Sequence, residues 1–358
     1  MKSTNNLSHL LLIAIFPFLV SCVSGQLGQQ SHSEYKNGMV VSAHPQAPQV
    51  GIDILKKGGN AVDAAVAVQF ALAVVYPNAG NIGGGGFLVY RSHDGATASL
   101  DFREKAPGKA SRDMYLDESG NAISDKSLYG HLAPGVPGSV DGMVKAHERF
   151  GKLPWKDVVQ PAVDLARNGF TITEMQAEEL NRNQADFKKY NKGKDYFIRE
   201  SGFTGGEVVV QADLARTLML IRDHGRDGFY SGEVADHIVA EMEQGGGLIS
   251  KDDLAAYQAV WRKPIVGTYR DYKIITMPPP SSGGIALMQL LKSVEPYPLK
   301  RWGHNSDSTI QLIVEAERRV YADRATHLGD PDFYNVPQPQ LLASDYARAR
   351  MSTFRWEK

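Results

Sequence analysis

Four consecutive glycines, Gly83 to Gly86, separate an apolar run from two strand-like runs in this 358-residue chain. Glycine loses more backbone freedom on folding than any other residue. A folded chain therefore keeps four together where its backbone bends sharply or lies very close to something else. The order of elements restricts what that can be. Phosphate-binding glycine loops follow a strand and open a helix, so that the helix N-terminus meets the phosphate. Here the run Ala61–Val75 comes first and reads as a helix, and the glycines lead into Phe87–Arg91, which reads as a strand. No Gly-Lys-Ser/Thr follows. The order argues against nucleotide binding. Two readings stay open: a tight helix-to-strand turn packed against its neighbours, or backbone brought close to a ligand.

The rest of the chain reads as mixed helix and strand. Met39–Ala43 suggests a short strand, and Pro45–Lys57 a helix with Val50, Ile52 and Leu55 on one face and Gly58-Gly59 at its end. Ala61–Val75 is apolar nearly all round, which predicts a buried helix. Phe87–Arg91 and Ala98–Phe102 flank His93-Asp94-Gly95 and predict a β-hairpin. From Pro137 the pattern is mostly helical. Ser139 reads as the N-cap of a helix to Arg149. Further helices are expected over Trp155–Arg167, Glu174–Phe187, Leu214–Asp223, Gly232–Gln244 and, capped by Ser250, Asp252–Tyr257. Strands Ile265–Tyr269 and Tyr272–Thr276 enclose the turn Arg270-Asp271. Helices at Ile285–Leu291 and Ser308–His327 follow, the latter with a charged face of Glu315, Glu317, Arg318 and Arg319 that is most simply solvated or salt-bridged. There are no internal repeats.

The N-terminus stands apart. Lys2 precedes an apolar stretch, Leu10–Val20, too short to span a bilayer. Leu19-Val20-Ser21-Cys22 follows, and the whole reads as a secretory signal whose end resembles the lipobox of bacterial lipoproteins. That resemblance implies cleavage after residue 21, lipidation of Cys22, a flexible tether over residues 22–37, and a single region from 38 to 358. An exported, periplasmic, membrane-anchored protein is the expectation. Cys22 is the only cysteine, so the mature region has neither a disulfide nor a thiol nucleophile. A formal charge of −1 gives no nucleic-acid bias.

Few residues stand out chemically. Arg103 lies among acids at the end of the second hairpin strand. Its planar fork suits a carboxylate, and it equally suits a structural ion pair with Asp101 or Glu104. Ser281 and Ser282 could offer hydroxyls and backbone N–H groups to an anion at a helix start, or form a rigid connector. His131, His147, His224, His237, His304 and His327 lack metal-ligand spacing, and no metal or cofactor is expected. Asp252-Asp253 and Asp330/Asp332 read as caps and turns.

Several strings together are far more specific than any one. Asn81-Ile82-Gly83-Gly84-Gly85-Gly86-Phe87 followed by Asp101-Phe102-Arg103-Glu104-Lys105-Ala106-Pro107 closely resembles the γ-glutamyltransferases, or glutathione hydrolases. Gly58-Gly59-Asn60-Ala61-Val62-Asp63-Ala64-Ala65, Pro137-Gly138-Ser139-Val140, Pro278-Pro279-Pro280-Ser281-Ser282-Gly283-Gly284 and Tyr321-Ala322-Asp323-Arg324 leading to Gly329-Asp330-Pro331 match in the same order. The likeness runs from about Gly38 to at least Pro337.

The resemblance implies an α+β, N-terminal-nucleophile hydrolase fold, a four-layer αββα sandwich incomplete without a small subunit. It implies that Arg103 binds the α-carboxylate of a γ-glutamyl group, with the backbone of Gly83, Gly84, Gly85 and Gly86 as possible pocket wall. It also implies a precursor that cuts itself before a threonine, which then attacks the γ-glutamyl amide of glutathione or a related compound. The family's Thr-Thr-His/Tyr string does not occur here; Thr309, Thr326 and Thr353 lie in other contexts. No catalytic residue is therefore expected within the chain, and the nucleophilic threonine is expected beyond Lys358. The chain is thus similar to a large subunit, or to a precursor ending before its cleavage site, and alone is expected to be inactive, with a sheet edge and apolar faces uncovered. A related acylase, a lipid-anchored binding protein for a glutamyl compound, and a fragment that does not fold alone are the alternatives.

Overall fold

Helix Ala61–Val75 is the centre of the molecule because almost none of its surface is polar. In the computed structural model, which describes residues 37–191 and 196–356, eleven of its fifteen residues are buried. Burying each of Val66, Phe70 and Val74 contributes roughly 1.5–3 kcal/mol. Asn60 caps its start, accepting from Val62 and Asp63 N–H, while the Asp63 carboxylate accepts from Asn60 N–H at 2.8 Å. This capping box holds two of the helix's orphan donors. Helices Gln46–Lys56, Ser139–Phe150 and Trp155–Asn168 pack around it, and Ala212–His224 packs on the last of these. The expected signal segment, Cys22 and all but the last residue of the tether lie outside the described residues. So does Lys358, beyond which the nucleophilic threonine is expected, and the structure therefore does not bear on that expectation.

Phe87–Arg91 and Thr97–Asp101 form the expected hairpin, with Phe87 opposite Asp101 and Arg91 opposite Thr97. Gly95 turns it at φ +89°, and Asp94 accepts the Ala96 N–H. A third strand, Val260–Arg262, joins the far side of Thr97–Asp101, placing Arg262 opposite Ser99. Phe87–Arg91 is the opposite edge of this sheet, and its Phe87 and Val89 are exposed. A second hairpin, Ile265–Tyr269 with Tyr272–Thr276, turns through Arg270 at φ +51°. It leads through the prolines into helix Gly283–Val294, which packs on the long helix Asp307–His327. On that long helix Glu315 pairs with Arg318 and Arg319, as a salt-bridged face requires.

Three expectations are corrected. Residues 39–43 form no strand: no neighbour pairs with them, and Val41 is 80% exposed. Ser139 is the first helical residue rather than the N-cap, because the Gly84 carbonyl accepts from both Gly138 N–H (2.8 Å) and Ser139 N–H (3.0 Å). The backbone of the glycine run thus does what a capping side chain would do. The helix expected over 174–187 is two, Glu174–Arg182 and Gln184–Tyr190. They meet at Asn183, whose amide side chain donates to the Glu179 carbonyl. None of the helices among the described residues is long and apolar enough to cross a membrane.

Candidate active site

The segment from Asp101 to Lys105 leaves the sheet at a point where glycines permit close packing on three sides. Phe102 exchanges both backbone hydrogen bonds with Gly86, at 3.0 and 3.2 Å. A Cβ on Gly85 would stand 2.5 Å from Phe102 O, 2.7 Å from Glu104 N and 2.9 Å from Arg103 Cα. One on Gly142 would fall 2.3 Å from the Phe102 ring. One on Gly138 would fall 2.0 Å from the Tyr257 hydroxyl. The glycines are therefore needed where backbone and ring of this one segment are approached from the turn before it and the helix behind it.

Arg103 is fixed at both backbone ends. Its N–H donates to Asp101 Oδ1 at 3.1 Å, and its carbonyl accepts the Tyr257 hydroxyl at 2.8 Å. Burial holds the Tyr257 phenol well above its ordinary pKa, with the nearby Tyr230 and Asp101 adding to the effect, so it stays a donor across the neutral range. The Arg103 guanidinium makes no hydrogen bond or ion pair among the described residues. It lines an open cavity of about 450 Å³ together with Lys105, Ser282, Arg324, Asp330 and the Asp101–Arg262–Asp332 group. That volume falls in the range of small-molecule sites.

Arg262 spans the cavity wall. Its Nε donates to Asp101 Oδ2 at 2.8 Å, and Nη1 and Nη2 donate to the two oxygens of Asp332, both at 2.9 Å. The cross-strand diagonal from Arg262 to Asp101 is within reach of a long side chain. The fork holds Asp332 below the usual carboxylate range, and Asp332 first, then Asp101, raise Arg262 against the opposing effect of burial. Arg324 donates from Nε to Ser282 Oγ at 3.0 Å. Lys105 donates to the Gln258 carbonyl at 3.3 Å and sits 5.4 Å above the Tyr257 ring.

The structure thus brings Arg103 and Ser282 to one cavity. The cavity wall does not include Gly83, Gly84, Gly85 or Gly86, whose close approaches are to Phe102, Arg103, Glu104 and the helix start. The Ser281 hydroxyl accepts from Gly283 N–H at 3.3 Å, so the two serines have separate tasks. Asp330 is the turn residue expected, accepting Asp332 N–H at 3.0 Å, whereas Asp332 is an arginine partner instead of a cap. Asp253 keeps its expected role in a capping box with Ser250 and also accepts from Gly108 N–H at 2.7 Å. His147 Nε2 donates to the Leu153 carbonyl at 2.9 Å beside Asp63, and His131 pairs with Glu241 at 2.7 Å. Sequence reasoning misses Arg262 and Tyr257 altogether. The only local signal for Arg262 is the short apolar run Ala259-Val260-Trp261 before it.

The fold is α+β and of the N-terminal-nucleophile hydrolase type. The crystal structure of Helicobacter pylori γ-glutamyltranspeptidase superposes with a TM-score of 0.88 at 46% identity, over 90% of this chain and 93% of that one. Residues 47–357 match the model of the gamma-glutamyltranspeptidase family, and the chain belongs to that family. It is 49% identical over 316 residues to the glutathione hydrolase proenzyme of Escherichia coli strain K12, covering 88% of this chain and 54% of that protein. It is 38% identical to the acylase ACY 1 proenzyme of Pseudomonas sp. strain SE83, over 90% of this chain and 59% of that protein. The chain therefore spans little more than half the length of these curated relatives.

Proposed function

We propose that this chain is the carboxylate-recognising part of an enzyme that transfers or hydrolyses γ-glutamyl groups, with Arg103 holding the substrate α-carboxylate. One observation carries the reading: Arg103, flanked by Asp101 and Glu104, keeps its guanidinium unspent in a cavity of ligand size. Two parallel N–H···O bonds to a carboxylate would fix both the position and the plane of the γ-glutamyl group. Proximity of that kind brings the amide carbon to a nucleophile in one orientation.

The 358 residues hold no Thr-Thr-His/Tyr string, so the nucleophile in this reading is a threonine beyond Lys358, at the N-terminus of a small subunit cut from the same precursor. Its hydroxyl adds to the γ-carbonyl carbon, its α-amino group takes the hydroxyl proton, and the amine leaves with a proton. Water or an acceptor amine then breaks the resulting ester, and the threonine is regenerated. Glutathione and other γ-glutamyl amides are the substrate class.

In the assembled enzyme, Arg103→Lys raises KM for a γ-glutamyl anilide, since an ammonium lacks the bidentate fork. An unchanged KM in a fully assembled variant refutes the role. The acylase relative favours a second reading, in which Arg103 takes the free carboxylate of a glutaryl-type acyl group. Turnover of glutaryl but not γ-glutamyl amides would establish it. Export with lipidation at Cys22 is part of the same proposal. Cys22→Ala should abolish labelling by a fatty-acid probe and release the protein from membranes, and retained labelling would exclude that site.

A further inference from the structure

Asp101 is the one carboxylate that Arg103 is tied to, and it is only 7% exposed. Its Oδ1 holds the Arg103 backbone N–H, and its Oδ2 holds Arg262 Nε. A carboxylate has capacity for several donors, and the Arg103 guanidinium starts only two residues away. Arg262, and not Arg103, makes the side-chain ion pair with Asp101, at 2.8 Å. Arg262 is itself locked from the far side, since both terminal nitrogens are committed to Asp332 and its side chain is only 13% exposed. Every nitrogen of the Arg262 guanidinium is therefore engaged, while among the described residues none of Arg103's is.

We infer that Arg262 is a positioning residue for Arg103. By neutralising Asp101 and being clamped by Asp332, it prevents an internal Asp101–Arg103 ion pair and leaves the Arg103 fork open to a carboxylate ligand. The consequence for substrate rests on the proposed role of Arg103; the effect on the Arg103 side chain does not. Asp332 belongs to the same device, because it keeps Arg262 extended along the wall instead of turned into the cavity. The device also sets apart the two arginines beside Asp101: Arg262 has all its donors engaged and Arg103 has its fork free, while Arg324, farther along the same wall, donates from Nε to Ser282.

The test uses the assembled enzyme and two readouts. The first is the rate of phenylglyoxal modification at Arg103, mapped by mass spectrometry. Arg262→Gln frees Asp101 to pair with Arg103 and should slow that modification about fivefold, the size of effect an ion pair of this exposure gives. Adding Asp101→Asn removes the competing charge while keeping an acceptor for the Arg103 N–H, and should restore the rate. The second readout is KM for a γ-glutamyl anilide, which should rise in the single variant and fall back in the double variant, with kcat moving less. A purely structural role for Arg262 predicts the opposite order, with the double variant no better than the single. An unchanged modification rate in Arg262→Gln, or no restoration in the double variant, overturns the inference. Modification rates that follow the prediction while KM stays constant uphold the positioning role and refute the substrate role of Arg103. If Arg262→Gln does not fold, Arg262→Lys serves: it keeps a charge at Asp101 but loses the fork to Asp332. Arg103 should then react at an intermediate rate, and a rate equal to or above that of the unsubstituted enzyme refutes the proposal.

Discussion

Arg226 and Arg103 are held to the same residue, Tyr257, and end in opposite states. Arg226 donates to the carbonyls of Tyr257 (2.8 Å) and Ala255 (3.0 Å) and to Asp141 Oδ1 (3.0 Å). Asp141 is buried, with its side chain 1% exposed, and its other oxygen accepts Ala259 N–H at 2.6 Å. Arg103 takes only the Tyr257 hydroxyl, on its backbone carbonyl, and its guanidinium holds nothing among the described residues. Both arginines lie close to acids in sequence or space. What separates structural from available charge is whether the surrounding main chain uses up the donors. Around Arg226 main-chain carbonyls and a carboxylate converge, whereas around Arg103 the chain has been satisfied by other groups and a cavity remains.

The sharpest way to break this comparison is Asp141→Ala. It should destabilise the protein by about 3–5 kcal/mol, because it leaves Arg226 partly buried without its counter-charge and Ala259 N–H without an acceptor. Urea unfolding measures it, and a loss comparable to that of an ordinary surface substitution would mean that Asp141 is not the hub described. Arg103→Lys should do the reverse. Its unfolding free energy should stay within about 0.5 kcal/mol of the parent. Ligand binding should lose about 1.5–3 kcal/mol, roughly the value of hydrogen bonds to a charged group. Isothermal titration with a γ-glutamyl compound, set beside the unfolding curve, separates the two effects. A parallel loss of stability would make Arg103 another Arg226.

The glycine run sharpens the comparison at the backbone. Gly85→Ala should cost about 1–3 kcal/mol, since its Cβ meets main-chain atoms of Phe102, Arg103 and Glu104 that cannot rotate away. Gly83→Ala, with nothing within 4 Å of its Cβ, should be near neutral. Equal effects in thermal unfolding would show that the run is flexible linker and not a packed wedge behind Arg103.

These same residues mark how far sequence alone reaches. The first hairpin is legible because alternation and a turn signal are both local: His93-Asp94-Gly95 sets the turn between two adjacent runs. Helix Ala61–Val75 is legible because its composition leaves no solvent face. Arg103 stands out as a lone cation among acids at a strand end, but its state does not, since an ion pair with Asp101 fits the sequence equally well. What decides it is Arg262, 161 residues from Asp101, and that strand is illegible. Three residues carry no period, and Val260–Arg262 becomes a strand because Thr97–Asp101 offers it an edge. Asp332 fails for the same reason: as sequence it is a turn residue, and only tertiary placement gives it an arginine. Ser139 looks like a cap, and the actual acceptor is the Gly84 carbonyl from the distant glycine run, which no side-chain pattern encodes.

The smallest effect concerns Asp332, and its pH dependence tests whether the Arg262 fork is made. Arg262 lowers the Asp332 pKa below its ordinary 3.8, so the ion pair stabilises the folded state fully above that value and the contribution disappears as pH falls through the lowered one. Asp332 is 44% exposed, so solvent screening limits its worth to about 1 kcal/mol or less. Asp332→Asn should therefore lower the urea midpoint by a small and constant amount between neutral pH and about pH 5, and the gap should close only in acid below 3.8. A gap that narrows already on leaving neutral pH would mean that a histidine, not Asp332, titrates with it. A gap absent at every pH would leave Arg262 held by Asp101 alone, free to swing into the cavity, and the contrast between one spent and one open guanidinium would no longer hold there.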